Sequence, residues 1–399
     1  LRCLFINDHI GAYGGVERYI SLVSVALEKR GFEIAYLHTR IGQRTTAGRR
    51  QAWHVPAVEA HPRRLAGPVK ERIREILDGW QPDVIFWHNL SHPGLLQFCL
   101  EIRPVVIFQH TLDAVCPGGR KFLPGGASCE STMGAACLLK PFYAGCASRR
   151  PWRLFGAFRR VRKMQNLMSR AAGIVVASEF MAGRLAEVGI PRDGVEVIPL
   201  FASPRAFAAQ MTDPESSNRL FCVGRFVPGK GHARLLEALT GVEQPFKLVL
   251  AGEGPNRPKL ESLAAALPEG SVEMLDYLGE KRMSAEYMKA AFFVFPSILP
   301  EPFGLAGVEA MAHGRLVVTF DVGGVGEWLV PDGDAPTGVL VPCGDMEAFR
   351  SALERMLSGP ETMFEMGAAA RRVAKERFTL SRHAEKLMPV LQKAAKGKP

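Results

Sequence analysis

Two glutamates eight residues apart, Glu301 and Glu309, bracket the stretch Pro302-Phe303-Gly304-Leu305. The apolar run Ala291 to Phe295 before them reads as a short buried strand, ended by Pro296 and Ser297. Leu305 to Ala312 is helix-friendly, so a helix is expected to begin near Gly304. Glu301 then lies in a strand-to-helix loop and Glu309 one to two turns inside the helix. Free backbone N–H groups of Phe303, Gly304 and Leu305 would crown the helix N-terminus, which is a ready anion site. One carboxylate precedes that site and one follows it. Such a set suits a diphosphate with hydroxyl groups on both sides, as a nucleoside diphosphate sugar has. Without its surroundings, the pair is equally a solvated acidic loop and a surface helix glutamate.

Other residues add chemistry. Gly224-Arg225-Phe226-Val227-Pro228-Gly229-Lys230-Gly231 has the outline of a phosphate-binding P-loop. It fails at Gly231, where a P-loop needs a Ser or Thr hydroxyl for magnesium. Leu250-Ala251-Gly252-Glu253-Gly254-Pro255 fails the dinucleotide fingerprint, because Arg257 replaces its third glycine. The lone D-x-D, Asp332-Gly333-Asp334, sits in turn-like sequence and reads as loop. Gly14 and Gly15 would let the backbone approach a ligand at the start of a helix near 16–30. Cys116, Cys129, Cys137 and Cys146 cluster with loose spacings. They could hold a structural zinc ion, remain free thiols, or form a disulfide on oxidation.

Charge is uneven. Residues 1–200 hold 27 Lys+Arg against 16 Asp+Glu, and residues 201–399 hold 23 against 24. Residues 148–163 contain Arg149, Arg150, Arg153, Arg159, Arg160, Arg162 and Lys163, interleaved with Trp152, Leu154, Phe155 and Phe158. This run reads either as a membrane-surface helix or as a solvated helix whose apolar stripe packs on a sheet. No recognised nucleic-acid module is present. No run of about 18 apolar residues occurs, so no membrane span is expected. The absence of a charged-then-apolar leader points to a reducing cytoplasm.

The elements that must position these groups alternate. Strands are expected near 2–7, 33–38, 83–88, 104–109, 173–177 and 195–199, with helices near 16–30, 68–79, 151–170 and 179–188. A second series has strands near 219–223, 246–251, 272–277, 291–295, 315–320 and 338–341. Its helices fall near 232–240, 258–266, 284–290, 305–312, 345–357 and 361–376. The expected fold class is α/β, with two Rossmann-like domains whose parallel sheets face a central crevice at their carboxyl ends. The domains are 1–201, with a Cys-rich insert at 116–146, and 219–378, joined by a linker at 202–218. A last helix within 379–399 is placed back on the first domain.

Four motifs, in order, resemble those of the retaining glycosyltransferases of family 4, which have the GT-B fold. They are Gly14-Gly15-Val16-Glu17-Arg18, Gly224 to Gly231, Glu301 to Glu309, and Gly323-Gly324-Val325-Gly326-Glu327. The resemblance covers nearly the whole chain. It implies that Glu301 contacts donor-sugar hydroxyls, Glu309 the ribose, and the amides at 303–305 the diphosphate. Gly14, Gly15 and Gly252 would line the donor, while Arg225 and Lys230 would neutralise the leaving group in place of a metal. His110 matches a histidine near the sugar's C6 hydroxyl, and His88 is either a wall of the site or structural. Thr111 stands where the family usually has Asp, and Arg315 where it usually has Pro; the latter is expected to affect only strand entry.

The reaction implied is retaining, metal-independent transfer from a UDP- or GDP-sugar to a glycan or lipid-linked acceptor, in polysaccharide or glycolipid synthesis. No catalytic cofactor is implied. A location on the cytoplasmic face of an anionic membrane is expected. A nucleotide-sugar epimerase or phosphorylase on the same scaffold, and an inactive binding module, are the rivals.

Overall fold

Short runs of aliphatic and aromatic residues become strands throughout the chain. Val84–Trp87, Val105–Phe108 and Phe292–Phe295 are each buried along their whole length. That is the pattern of parallel strands covered on both faces. The computed structural model describes residues 1–10, 14–41, 50–56, 58, 65–89, 91–124, 126–209 and 218–397. These form two units: residues 1–121, 130–198 and 380–399 make the first, and residues 122–129 and 199–379 the second.

The first unit runs β1 (Arg2–Ile10), α1 (Gly15–Glu28), β2 (Glu33–Ile41), β3 (Ala52–His54), α2 (Gly67–Trp80), β4 (Val84–Trp87) and α3 (Pro93–Ile102). It continues through β5 (Val105–Phe108), α4 (Lys140–Ala144), α5 (Pro151–Met168), β6 (Gly173–Val176), α6 (Glu179–Ala186) and β7 (Val195–Val197). Its seven strands are ordered β3-β2-β1-β4-β5-β6-β7, and every pairing is parallel. The chain builds outward from β1 to β3, then restarts at β4 and builds the other way. The reversal therefore lies between β1 and β4.

The second unit runs α7 (Pro204–Ala208), β8 (Arg219–Val223), α8 (His232–Leu239), β9 (Lys247–Ala251), α9 (Arg257–Ala264), β10 (Val272–Leu275) and α10 (Glu280–Lys289). Then come β11 (Phe292–Phe295), α11 (Leu305–Ala312), β12 (Val317–Asp321), β13 (Gly338–Pro342), α12 (Met346–Ser358) and α13 (Pro360–Arg377). Its six parallel strands are ordered β10-β9-β8-β11-β12-β13, so its reversal lies between β8 and β11. In open α/β sheets, ligands bind past the carboxyl ends of the strands at such reversals.

The last helix, α14 (Leu380–Lys396), belongs to the first unit and packs on α1, β4 and β5. It buries His383, Ala384, Leu387, Leu391 and Ala394 along one stripe, at the spacing of an amphipathic helix. Four elements lie outside the sequence expectations: β3, α3, α4 and α7. The stretch read as a linker opens with the helix α7, while residues 210–217 lie outside the described residues. Arg315 does more than shape a strand entry. Its guanidinium donates to the carbonyls of Tyr287 (3.0 Å) and Met288 (2.5 Å), capping the last turn of α10.

Candidate functional site

Both groups expected to meet a leaving diphosphate in the second unit stand at the β8–β11 reversal. The turn after β8 carries Arg225 and Lys230, and the loop after β11 carries Glu301. The two segments are locked backbone to backbone. The carbonyl of Gly229 accepts from the N–H groups of Ile298 and Leu299, each at 3.0 Å. Gly231 has φ +71°, and a Cβ there would fall 1.7 Å from the carbonyl oxygen of Pro296. Only glycine lets the turn come this close.

That approach brings Lys230 Nζ to 2.6 Å from Glu301 Oε1. Ser297 Oγ donates to the same oxygen at 2.5 Å. Glu301 is buried, at 7% exposure, so its charge is taken out of water and met by one cation and one hydroxyl. Lys230 also lies over the Phe295 ring, 5.8 Å from its centroid. Arg225 is exposed, with no carboxylate in ion-pair range among the described residues.

The Glu301 loop is held from the other side by the turn after β12. Gly324 N–H donates to the Glu301 carbonyl at 2.8 Å. Gly323, at φ +62°, lies so close that a Cβ would fall 2.2 Å from that carbonyl oxygen. Trp328 Nε1 donates to the Phe303 carbonyl at 2.5 Å. Gly304 is the N-cap of α11, and no side chain caps the helix. Phe303 is buried, Leu305 half-buried, and the first-turn amides have no side-chain acceptor. Glu309 is buried and accepts from the Ser203 N–H at 3.1 Å. Gly252 faces backbone: a Cβ there would fall 2.0 Å from the Gly224 carbonyl oxygen. Together with Phe226 N–H donating to the backbone carbonyl of Glu253 (2.7 Å), this braces the Arg225 turn.

The first unit gathers aromatic and imidazole groups at its own reversal. His88 follows β4 and His110 follows β5. His88 Nδ1 and His110 Nε2 are 3.0 Å apart, so one ring donates and the other accepts. The His110 ring stacks on Phe108, with centroids 4.1 Å apart and planes 11° from parallel. Tyr19 of α1 packs edge-on against both histidines and hydrogen-bonds His383 Nε2 of α14 at 2.8 Å. Burial pushes His110 down to about 3, with His383 adding to the shift. Burial, then His110, holds His88 well below the ordinary imidazole range. The pair is therefore neutral near pH 7 and can exchange hydrogen bonds with hydroxyls without gaining charge. Thr111 and Gln109 both donate to Asp113 Oδ1, at 2.5 and 2.7 Å.

Gly14 is the N-cap of α1 in extended conformation, and Gly15 opens the helix. Gly11, Ala12 and Tyr13 of that turn lie outside the described residues, as does Leu90 beside His88.

Cys116, Cys129, Cys137 and Cys146 are the set considered above for a structural zinc ion. Among the described residues, no three His, Cys, Asp or Glu side chains are grouped to hold a metal ion. Cys129 is buried, and Cys116, Cys137 and Cys146 are half-buried. Of the basic run, Arg149, Arg150, Arg153, Arg159, Arg162 and Lys163 are exposed, whereas Arg160 is half-buried. Trp152 and Phe155 point outward, but Leu154 is core and Phe158 is half-buried. No helix among the described residues is long and apolar enough to cross a membrane.

Sequence reasoning missed Ser297, Tyr19 and His383. Ser297, directly after β11, had a positional signal. Nothing in the sequence tied His383 to Tyr19, 364 residues away.

A doubly wound parallel sheet built twice in one chain, each with polar groups at its reversal, is the architecture of the GT-B glycosyltransferases. The crystal structure of Anabaena Alr3699/HepE in complex with UDP superposes with a TM-score of 0.71 at 17% identity, over 98% of this chain and all of that one. The family model "Glycosyltransferase Family 4" matches residues 13–204, and "Glycosyl transferases group 1" matches residues 205–373. The chain thus belongs to glycosyltransferase family 4.

The uncharacterized glycosyltransferase YqgM of Bacillus subtilis is 38% identical over 172 residues, covering 42% of this chain and 46% of that protein. The phosphatidyl-myo-inositol mannosyltransferase of Mycobacterium leprae is 28% identical over 335 residues, 82% of this chain and 78% of the relative. Several other curated relatives are matched over about half their length.

Proposed function

We propose that the protein is a retaining, metal-independent glycosyltransferase. It moves a sugar from a UDP- or GDP-sugar to a glycan or lipid-linked acceptor in cell-surface polysaccharide or glycolipid synthesis. The observation that carries the reading is the Lys230–Glu301 contact at the β8–β11 reversal, beside the uncapped N-terminus of α11. A cation, a carboxylate and a row of amides there suit a diphosphate joined to a hydroxyl-rich sugar.

In this reading Arg225, Lys230 and the amides of residues 303–305 take up the charge that grows on the departing diphosphate. These groups do what a divalent ion would otherwise do. Glu301 holds sugar hydroxyls, Glu309 the ribose, and neutral His110 a sugar hydroxyl. With no carboxylate assigned as a nucleophile, retention follows from departure and attack on one face of the sugar. The UDP of the Anabaena structure and the name of the M. leprae relative support a nucleotide-sugar donor and a lipid-linked acceptor. Such an acceptor fits a peripheral protein on the cytoplasmic face of a membrane.

The test is calorimetric titration with UDP, GDP and ADP, then a donor screen with the base that binds. Release of nucleoside diphosphate that requires an acceptor supports transfer. Release that needs only phosphate, or epimerisation without acceptor, would support the phosphorylase or epimerase reading instead.

A further inference from the structure

Nine large hydrophobic side chains are exposed among the described residues, and five of them fall between positions 139 and 155. They are Leu139, Phe142, Tyr143, Trp152 and Phe155, exposed by 69, 48, 76, 70 and 52%. Leu139 and α4 belong to the Cys-rich insert, and Trp152 and Phe155 to the first turns of α5. The two segments adjoin, because Arg149 Nε donates to the Pro141 carbonyl at 3.4 Å. The exposed apolar groups thus lie on two segments tied to each other at the start of α5.

The charge around them has one sign. No Asp or Glu occurs between Glu130 and Glu179, while that interval holds nine Lys and Arg. Arg149, Arg150, Arg153, Arg159, Arg162 and Lys163 are exposed. Among the described residues no ion pair involves any of them. An ordinary solvated helix mixes both signs; α5 carries cations alone. Arg159 lies over the face of the Phe155 ring, 5.6 Å from its centroid.

We propose that α4 and the first half of α5 form a docking surface for an anionic lipid bilayer. Trp152, Tyr143 and Phe155 enter the headgroup region, and the arginines hold anionic headgroups around them. Trp and Tyr suit that boundary because each has an apolar body and a polar edge. Leu139 and Phe142 add apolar area that a nucleic acid would have no use for. The inner stripe of α5, with Leu154, Val161 and Met164, is buried in the unit. The helix thus keeps its core packing while its outer face docks. The proposal rests on the peripheral, lipid-linked reading and names the surface that achieves it.

The experiment is flotation with vesicles of phosphatidylcholine alone or with about one third phosphatidylglycerol, at low and high salt. Each basic residue near an anionic surface strengthens binding about fivefold. Arg150→Ala/Arg153→Ala/Arg162→Ala should therefore weaken binding to anionic vesicles by about a hundredfold. Tyr143→Ser/Trp152→Ser should remove the binding that survives high salt. Both variants alter exposed side chains, so melting temperature and nucleoside diphosphate binding should stay at wild-type values.

Failure of the wild type to float with anionic vesicles at low salt would overturn the proposal. So would equal flotation of the arginine variant, or displacement from vesicles by a short duplex DNA at equal charge. Flotation is measured without donor, and diphosphate binding without vesicles. A protein that binds diphosphate but not vesicles fails this proposal alone; the converse fails the functional reading alone.

Discussion

Replacing Lys230 by Met should separate two roles of the ammonium group. In the structure it lies 2.6 Å from Glu301 Oε1, with side-chain exposures of 23% for the lysine and 9% for the glutamate. Removing it leaves a buried carboxylate held by Ser297 Oγ. Breaking a buried pair costs about 3–5 kcal/mol. The partial exposure of Lys230 and the remaining hydroxyl bring the expectation to roughly 2–3 kcal/mol of stability. The same change removes one cation from the leaving diphosphate, raising the barrier by about 2–4 kcal/mol, roughly a thirty- to thousandfold loss of turnover.

Glu301→Gln in the same background removes the orphaned charge. The double variant should recover most of the lost stability and none of the lost turnover. Denaturant unfolding and acceptor-dependent release of nucleoside diphosphate measure the two quantities. Wild-type turnover and stability in Lys230→Met would refute the reasoning. Turnover that returns with stability in the double variant would make the pair structural only.

Three further outcomes follow from the geometry. Folding stability should fall with acid: burial pushes His110 down to about 3, and burial, with Lys230 adding to it, pushes His232 down to about 4, against an ordinary 6.5. Their contribution is thus complete above about pH 6.5 and declines below it, by about 2 kcal/mol each at pH 5; a flat stability between pH 7 and 5 would contradict their burial. Gly323→Ala should cost about 1–3 kcal/mol and weaken diphosphate binding, since its φ and its contact with the Glu301 carbonyl both exclude a Cβ; an unchanged melting temperature would refute that packing. Excess EDTA should leave transfer rate and melting temperature unchanged, whereas a melting temperature that falls would return the clustered cysteines to a metal-binding role.

The alternation of strands and helices was legible because parallel strands here are continuous apolar runs, as in Phe292–Phe295. β3 escaped because only three residues pair, and α3 because its Pro93-Gly94 start reads as loop. At the site, Glu301 and Lys230 could each be named from its own motif. Their contact could not, because it depends on Gly229 and Gly231 docking on the loop after β11, a tertiary fact. Gly252 read as ligand-facing, yet its glycine is required by neighbouring backbone, as is that of Gly323. On α5 the aromatic residues were visible in sequence, but which of them face outward was decided by packing against α3. That Leu139, Phe142 and Tyr143 are exposed is a tertiary fact no local pattern carried.

The central claim is acceptor-dependent transfer with retention, carried out at the β8–β11 reversal. Its most direct test is to supply the donor selected by the nucleotide screen, with and without acceptor, and to read the product's anomeric configuration by proton NMR. The account predicts diphosphate release only with acceptor, a product with the donor's own anomeric configuration, and loss of both signals in Arg225→Ala. An inverted product, or acceptor-independent release at the same rate, would contradict it.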